Sequence, residues 1–216
     1  MSLTEDAMEA ASFALIAHDL KNALGTLENE LEALIDQPDP SLAQSAYLHC
    51  TELRRQFVQF LTVYGAPGGL RVLSEDESPR DILKSLQHTA ALKRLITPGT
   101  PKVTVDSARV MPPFWYLDRR LVYMALEAAL HNAMRFSRHN VVLGAREQDG
   151  YLVLSIEDDG PGLGAIDPSD QSDQSTGLGT ALCEAVAKAH RCADREGRVA
   201  LVNRPEGGAS FELWLP

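Results

Sequence analysis

The amino-acid sequence predicts an α+β protein in two parts, a helical hairpin followed by a region that mixes helices with paired strands. Three observations carry this expectation. Leu20, Leu24, Leu27, Leu31 and Leu34 recur at alternating spacings of four and three, the period of one helix face. The runs VVLGARE and YLVLSIEDD flank QDG, as two strands joined by a tight turn do. Between the two styles stands GAPGG, residues 65 to 69, a stretch that ends a helix and reads as a boundary.

From about Thr4 to Ile35 the only Gly or Pro is Gly25, so one long helix is expected there. DQPDPS stops it with two prolines and offers Ser41 as the cap of a second helix. In that second helix Leu42, Ala46, Leu53, Phe57, Phe60 and Tyr64 share a face. Two helices joined by so short a turn cannot both hide their apolar stripes from water. A pair of such hairpins closing into a dimeric four-helix bundle solves this, so residues 1–66 are expected to form a homodimer.

Residues 70–216 are expected to form the second domain. Helical stretches near 79 to 96 and 118 to 137 precede and follow a region in which MPPFW, residues 111 to 115, resembles a loop or edge rather than a binding box. A third helix, TALCEAVAKAH, follows a Gly-rich turn, and GRVALVN, RPEGG and ASFELWLP read as a terminal hairpin. IDPSDQSDQST, residues 166 to 176, has no apolar residue after Ile166 and reads as a mobile loop.

The 216 residues are 44% apolar, enough for a real core, and carry a formal charge of -10 from 20 basic and 30 acidic side chains. Such a balance argues against nucleic acid or an anionic membrane surface as the partner, since both select a basic face. No apolar run approaches a bilayer's width, and MSLTEDAMEA lacks the basic start of a secretion signal, so a cytoplasmic chain with no membrane segment is expected. Cys50, Cys183 and Cys192 are odd in number and form no CxxC pair, which fits free thiols in a reducing compartment and neither disulfide nor zinc.

AHDLKN, residues 17 to 22, raises the first chemical question. With Leu20 as zero and about 100° per residue, the leucine stripe stays within roughly 40° while His18 lies near 160°. Asn22 follows one turn later, Gly25 shares that outer strip, and Asp19 lies on its flank. A solvated helix face explains this pattern as simply as chemistry does. The chemical reading is an exposed imidazole nucleophile whose ring Asp19 orients or deprotonates, with Asn22 placing water or a phosphoryl oxygen.

Further on, LEAALHNAMRFSR sets Asn132 and Arg135 within one helical turn, with Phe136 alongside. An Asn oxygen can ligate magnesium, an Arg can meet phosphate and an aromatic ring can cover a base. EDDGPGLG ends a strand with Asp158, suited to accept from an exocyclic amine, before glycines that let backbone approach a flat ligand. STGLGTALCEAV places Gly177 and Gly179 just before a helix, where free amides and the helix dipole favour an anion. Each motif is commonplace alone.

In this order, and closed by GGASFELWLP, the motifs resemble those of the sensor histidine kinases over nearly the whole chain. The resemblance implies the transmitter region of such a kinase: a dimerisation and phosphoacceptor hairpin, then a two-layer α/β sandwich of the histidine kinase ATPase type. It implies His18 as phosphoacceptor, Asp19 as its neighbouring acid, and Asn22 as the amide used in dephosphorylating a response regulator. Asn132 would hold magnesium, Asp158 would read the adenine amino group, and Gly160, Gly162, Gly177 and Gly179 would shape the nucleotide loops. Arg135, Phe136 and Thr176 complete the implied ATP site.

Departures from the family pattern are specific. Ala128 stands where a second Asn is usual, with Glu127 one residue out of register, which removes a magnesium ligand. Arg135 and Phe136 replace Lys and Tyr, Ser175 and Thr180 replace Gly and Leu, and Ala209 stands where Thr or Ser is frequent. HRCADREGR interrupts the usual His-Gly-Gly. The segment that forms the family's ATP lid is short and carries Asp167, Asp170 and Asp173 with no Lys or Arg, a charge pattern that repels a triphosphate.

The expected function is therefore autophosphorylation of His18 from Mg-ATP and transfer to a receiver-domain aspartate, with input from a separate sensory protein or from a further part of the gene. The competing expectation is a phosphotransfer or scaffold protein with a degenerate nucleotide site that does not use ATP. An ATPase on the same fold is disfavoured by the His18 hairpin and by Ala128, where a Glu base would be needed. His131 and His190 read as structural or solvated, and His49 as buried or seam-lining.

Overall fold

The structure, a computed structural model, describes residues 3–65, 69–97, 99–164 and 177–216, with side chains from Phe13 onward and that of Ile96 outside the description. The chain divides into two compact units, residues 1–69 with 175–178 and residues 70–174 with 179–216. The order is a helical N-terminal region followed by a mixed α/β region, an α+β architecture overall.

The first unit is an antiparallel pair of long helices, α1 (Leu3–Asp36) and α2 (Pro40–Tyr64). Sequence placed the second cap at Ser41, whereas Asp39 is the N-cap and accepts from the Ser41 N–H at 2.9 Å. Pro40, which has no N–H to lose, sits in the first turn, and a carboxylate there meets the positive end of the helix dipole. Ile16, Leu20 and Leu27 of α1 and Ala46 and Phe60 of α2 are buried. Phe13 lies 5.0 Å from Phe60 and 5.8 Å from Tyr64 between ring centroids. Leu24, Leu31 and Ile35 on α1, with Tyr47, Phe57 and Leu61 on α2, remain exposed. His49 lines the seam: it is half exposed and its Nδ1 meets Glu30 at 2.9 Å, with Ser45 donating to the same carboxylate.

The second unit runs β1 (Glu75–Glu77), α3 (Pro79–Ile96), β2 (Lys102–Val105), β3 (Trp115–Leu117), α4 (Arg119–Phe136), β4 (Asn140–Gln148), β5 (Tyr151–Asp158), α5 (Leu178–Ala189), β6 (Arg191–Cys192), β7 (Arg195–Glu196), β8 (Arg198–Asn203) and β9 (Ala209–Leu215). Its main sheet has the order β2-β4-β5-β9-β8, antiparallel except for the parallel β2–β4 pair. Period-two alternation along β5 sends Leu152, Leu154 and Ile156 into a core with Leu126 of α4 and Leu213 of β9, all sealed from water. On the opposite face Arg109 reaches Ser155 and Glu157, and Arg198 lies 4.0 Å from the Trp214 ring centroid.

Sequence periodicity located α3, α4, β4, β5, β8 and β9. It did not resolve the shortest strands: β1 pairs antiparallel with β3, so MPPFW, open between loop and edge in the sequence, ends in a strand, and HRCADREGR folds into the β6–β7 hairpin. Strands of two or three residues are too short to show a period. Among the described residues no helix is long and apolar enough to cross a membrane.

Candidate functional site

Two places carry chemistry, one in each unit. On α1, His18 is 64% exposed and its Nδ1 receives two neighbours. The Asn22 side-chain amide donates to Nδ1 at 3.2 Å, and the Asp19 carboxylate stands 3.7 Å from the same nitrogen. The i,i+4 and i,i+1 spacings of one helix therefore bring all three predicted residues together, as the helical wheel implies. Nδ1 is turned to the helix surface, and Nε2 makes no hydrogen bond among the described residues.

In the α/β unit a cleft of about 260 Å³ opens between α4, the start of α5 and the facing ends of β5, β8 and β9. Asn132 and Phe136 of α4 line one wall, Ile156 and Phe211 the floor, and Gly162, Leu163 and Gly164 the rim. Asp158 is its only carboxylate, and no Lys or Arg lines it among the described residues. Asp158 is 7% exposed; Oδ1 accepts from the Gly160 N–H at 2.8 Å and the Ala209 N–H at 3.2 Å, while Oδ2 takes no partner among the described residues. An apolar cleft with one oriented carboxylate is built to read a flat ligand that donates hydrogen bonds.

Several residues to which the sequence assigned no role of their own fix the Asp158 main chain and the rim of the cleft. Arg204 donates to the Asp158 carbonyl at 2.8 Å and pairs with Glu157 at 3.6 Å. Gly208, at φ 86°, packs where an added Cβ would collide with that same carbonyl oxygen, so no larger residue fits. The Asn203 side-chain oxygen accepts from the Leu163 N–H at 2.5 Å and tethers the rim. Asp159 ties the end of α4 to β5. Its carboxylate accepts from the Ser137 hydroxyl at 2.7 Å and from the N–H groups of Arg138, His139 and Asn140 at 2.8 to 3.0 Å. Burial alone would raise the Asp159 pKa, but these donors outweigh it and hold the carboxyl far below the usual range. EDDG announced Asp158; that the next residue is a clamp depends on a loop some twenty residues earlier in the chain.

The other predicted positions divide. Gly162 and Gly179 line the cleft, and Gly179 lies inside the first turn of α5, which begins at Leu178 rather than after the glycine. An added Cβ at Gly179 would stand 3.7 Å from both the Ala128 Cβ and the Asn132 amide, ordinary contact across the cleft. Gly160 is buried behind Asp158, and Gly177 is exposed at φ 67°. Arg135 is exposed and stands 5.3 Å over the Phe136 ring rather than lining the cleft. Thr176 and the acidic stretch 166–176 lie outside the described residues. Ala128 is buried, and Glu127 lines a small space between α3 and α4 with His131 and Met134, so it does not replace the missing amide.

Cys183 also lines the cleft. Its thiol donates to the Ala125 carbonyl at 3.2 Å, and burial pushes its pKa up to about 12, so it packs rather than reacts. Below the cleft, His190 accepts from the Asp118 N–H at Nε2, 3.1 Å, and donates from Nδ1 to the Val186 carbonyl, 2.7 Å. Burial pulls its pKa below the ordinary value. Asp118 caps α4 and accepts from the Leu73 and Leu121 N–H groups. Burial raises its pKa, but these bonds outweigh that and leave the carboxyl below its usual range.

Comparison with known proteins bears on both places. Residues 117–216 match the family described as histidine kinase-, DNA gyrase B-, and HSP90-like ATPase. The chain is 32% identical to the sensor histidine kinase CpxA of Escherichia coli K12 over 106 residues, 43% of this chain and 22% of that protein. It thus spans less than a quarter of that relative's length. Among solved structures, the Acinetobacter baumannii histidine kinase AdeS superposes with a TM-score of 0.67 at 22% identity, covering 92% of this chain and 96% of that one. Histidine kinase ThkA, solved in complex with response regulator protein TrrA, gives 0.64 at 15% identity over 94% of this chain and 60% of that one.

The α/β unit is thereby an ATP-binding domain of the histidine kinase ATPase class. The comparisons in sequence and in fold together support a histidine kinase transmitter region.

Proposed function

We propose that this protein is an ATP-dependent protein histidine kinase that phosphorylates its own His18 and passes the phosphoryl group to a response regulator aspartate. The observation that carries the proposal is Asp158, a carboxylate held by two backbone N–H groups in a largely apolar cleft. A cleft freed from nucleotide has no chemical reason to keep it.

In the reaction, a nitrogen lone pair of His18 attacks the γ-phosphorus of ATP. The bond to the β-phosphate oxygen breaks, ADP leaves, and the ring proton passes to Asp19 or to water. Attack through Nε2 uses the tautomer in which Nδ1 carries the proton in place of the bond from Asn22, and Asp19, 3.7 Å from Nδ1, stands where it can receive that proton. Asp158 would accept from the adenine amine, Phe136 would cover the base, and Gly162, Gly177 and Gly179 would admit the phosphates. Asn132 is the only side-chain amide lining the cleft among the described residues. A magnesium ion that keeps waters and phosphate oxygens needs only one or two protein ligands, so Asn132 fits it. The ion would neutralise charge on the phosphates.

Transfer reverses the geometry: the receiver aspartate attacks the phosphohistidine and His18 is regenerated. Asn22, one turn from His18, would place the water that hydrolyses the acyl phosphate of the regulator. ThkA's complex with TrrA supports a response regulator as the partner. The exposed apolar faces of α1 and α2 support a second copy of the chain as the other, closing the four-helix bundle. A cytoplasmic setting belongs to the same reading.

One observation favours phosphotransfer without ATP: among the described residues no cation lines the cleft, and Ala128 offers no ligand to magnesium. The two readings part on one experiment, incubation with γ-labelled ATP and magnesium beside His18→Gln and Asp158→Asn. Acid-labile, base-stable label that is lost in both variants is the expected result. No label, together with no nucleotide binding by calorimetry, removes the kinase and leaves phosphotransfer from a receiver.

A further inference from the structure

We infer that the groove between α3 and β2 is a docking site for an acidic, extended segment of a partner protein. This groove, a cavity of about 500 Å³, shares no residue with the nucleotide cleft. Lys84, His88 and Arg94 of α3 and Lys102 of β2 line it, and no carboxylate does among the described residues. In a chain of net charge -10 that is a local reversal of sign. Elsewhere in this unit Arg109, Arg119, Arg146, Arg191 and Arg204 are each spoken for by a Glu or Asp. Lys84, Arg94 and Lys102 have no acidic partner among the described residues, and they remain exposed.

Spacing selects the kind of anion. From Lys84 to Arg94 the helix rises about 15 Å, so the positive groups are strung along the groove rather than converging on one point. A phosphate group needs convergence. An extended chain covers the same distance in about five residues, and its alternate side chains recur at roughly 6.6 Å, close to the rise of about 6 Å from Lys84 to His88. The floor, Ala91, Pro101 and Val103, is apolar and suits the intervening side chains.

The backbone completes the site. β2 is an edge strand whose flanking N–H groups, Lys102 and Asp106, bond inward to His139 and Leu143 of the β4 side. Val103, between them, presents its main chain to the groove, and among the described residues its carbonyl is met only by the Gln87 side-chain amide at a long 3.3 Å. A peptide N–H can take that place, adding a strand to an exposed edge while its carboxylates meet the lysines.

The test uses the full chain and a fluorescein-labelled hexapeptide, Glu-Val-Asp-Val-Glu-Val, read by anisotropy at low and moderate salt. Expected is saturable binding that weakens with salt and falls about tenfold or more in Lys84→Glu/Lys102→Glu, the loss of two exposed ion pairs and their replacement by repulsion. The control Arg71→Glu/Lys188→Glu, with equal charge change at exposed positions off the groove, should bind as the native chain does. Unchanged melting of the groove variant separates lost binding from lost fold. No binding at millimolar protein, equal loss in the control, or equal binding of Gln-Val-Asn-Val-Gln-Val overturns the proposal. Tighter binding of inorganic tripolyphosphate at the same lysines also overturns it, in favour of a small polyanion.

Discussion

Leu83, Leu126, Leu154 and Leu213 of the α/β unit are sealed from water, whereas Leu24, Leu31, Phe57 and Leu61 of the hairpin stand about half exposed on helices that bury Leu20, Leu27 and Phe60. The α/β unit closes its own core because sheet and helices each offer one apolar face and turn it toward the other. Two helices cannot do this for stripes as wide as these. The hairpin therefore has half a core, and its stability should depend on chain concentration where that of the α/β unit does not.

The largest expected effect sits in the cleft and should leave the hairpin untouched. Gly208→Ala forces a Cβ onto the Asp158 carbonyl at a left-handed position, and should weaken ATP binding on the order of a hundredfold, as should Asp158→Ala. Calorimetry reads the affinity. Sedimentation of the same variants should show an unchanged dimer, and a change in both would break the separation of the two units.

Next is the reverse experiment. Leu31→Glu with Phe57→Glu places charges on the exposed apolar faces and should convert a micromolar dimer to monomer by sedimentation, with ATP affinity unchanged. A variant that remains dimeric would refute the second copy as the cover of these faces.

Asp159→Ala should follow, costing the α/β unit about 2 kcal/mol, or roughly 6 °C in melting, through the loss of charge-assisted bonds from the α4–β4 turn. Since that turn carries the end of α4 that holds Asn132 and Phe136, ATP affinity should fall in parallel. Asn22→Ala should then leave autophosphorylation at or above the native rate, because Nδ1 is freed for Asp19, while response regulator dephosphorylation is lost.

The smallest effect is a pH slope. His190 has a folded pKa below its ordinary 6.5 because it is buried. The unfolded chain therefore binds the proton first, and stability present above pH 6.5 is lost as the pH falls through the folded value. Asp118 and Asp159, both depressed, add a second loss below about pH 4. Melting followed from pH 8 to 5 should show the first slope, and His190→Gln should flatten it.

What was legible in the sequence had a period or a motif. The leucine spacing located α1 and the outward aspect of His18, and the alternation in VVLGARE and YLVLSIEDD located β4 and β5. The cap of α2 was misplaced because Asp39 and Ser41 both suit a cap, and only the backbone decides between them. The start of α5 was misread for a related reason: Gly179 suits a loop, yet lies within a helical turn. Strands β1, β2, β3, β6 and β7 are four residues or fewer, and exist because a partner strand supplies their hydrogen bonds.

Sequence by itself determined the order of the elements, the residues that can do chemistry, and the incompleteness of the hairpin's core, since each follows from side-chain type and near-neighbour spacing. Only the tertiary structure decided what holds Asp158 and which cations lack partners. The Asp158 contacts to Arg204 and Ala209 span 46 and 51 residues, and the Arg109 bond to Glu157 spans 48. Contacts across such separations are set by how strands register and helices pack. No local pattern encodes them, so Gly208, Arg204 and Asp159 look ordinary in the chain and become the supports of the site once it folds.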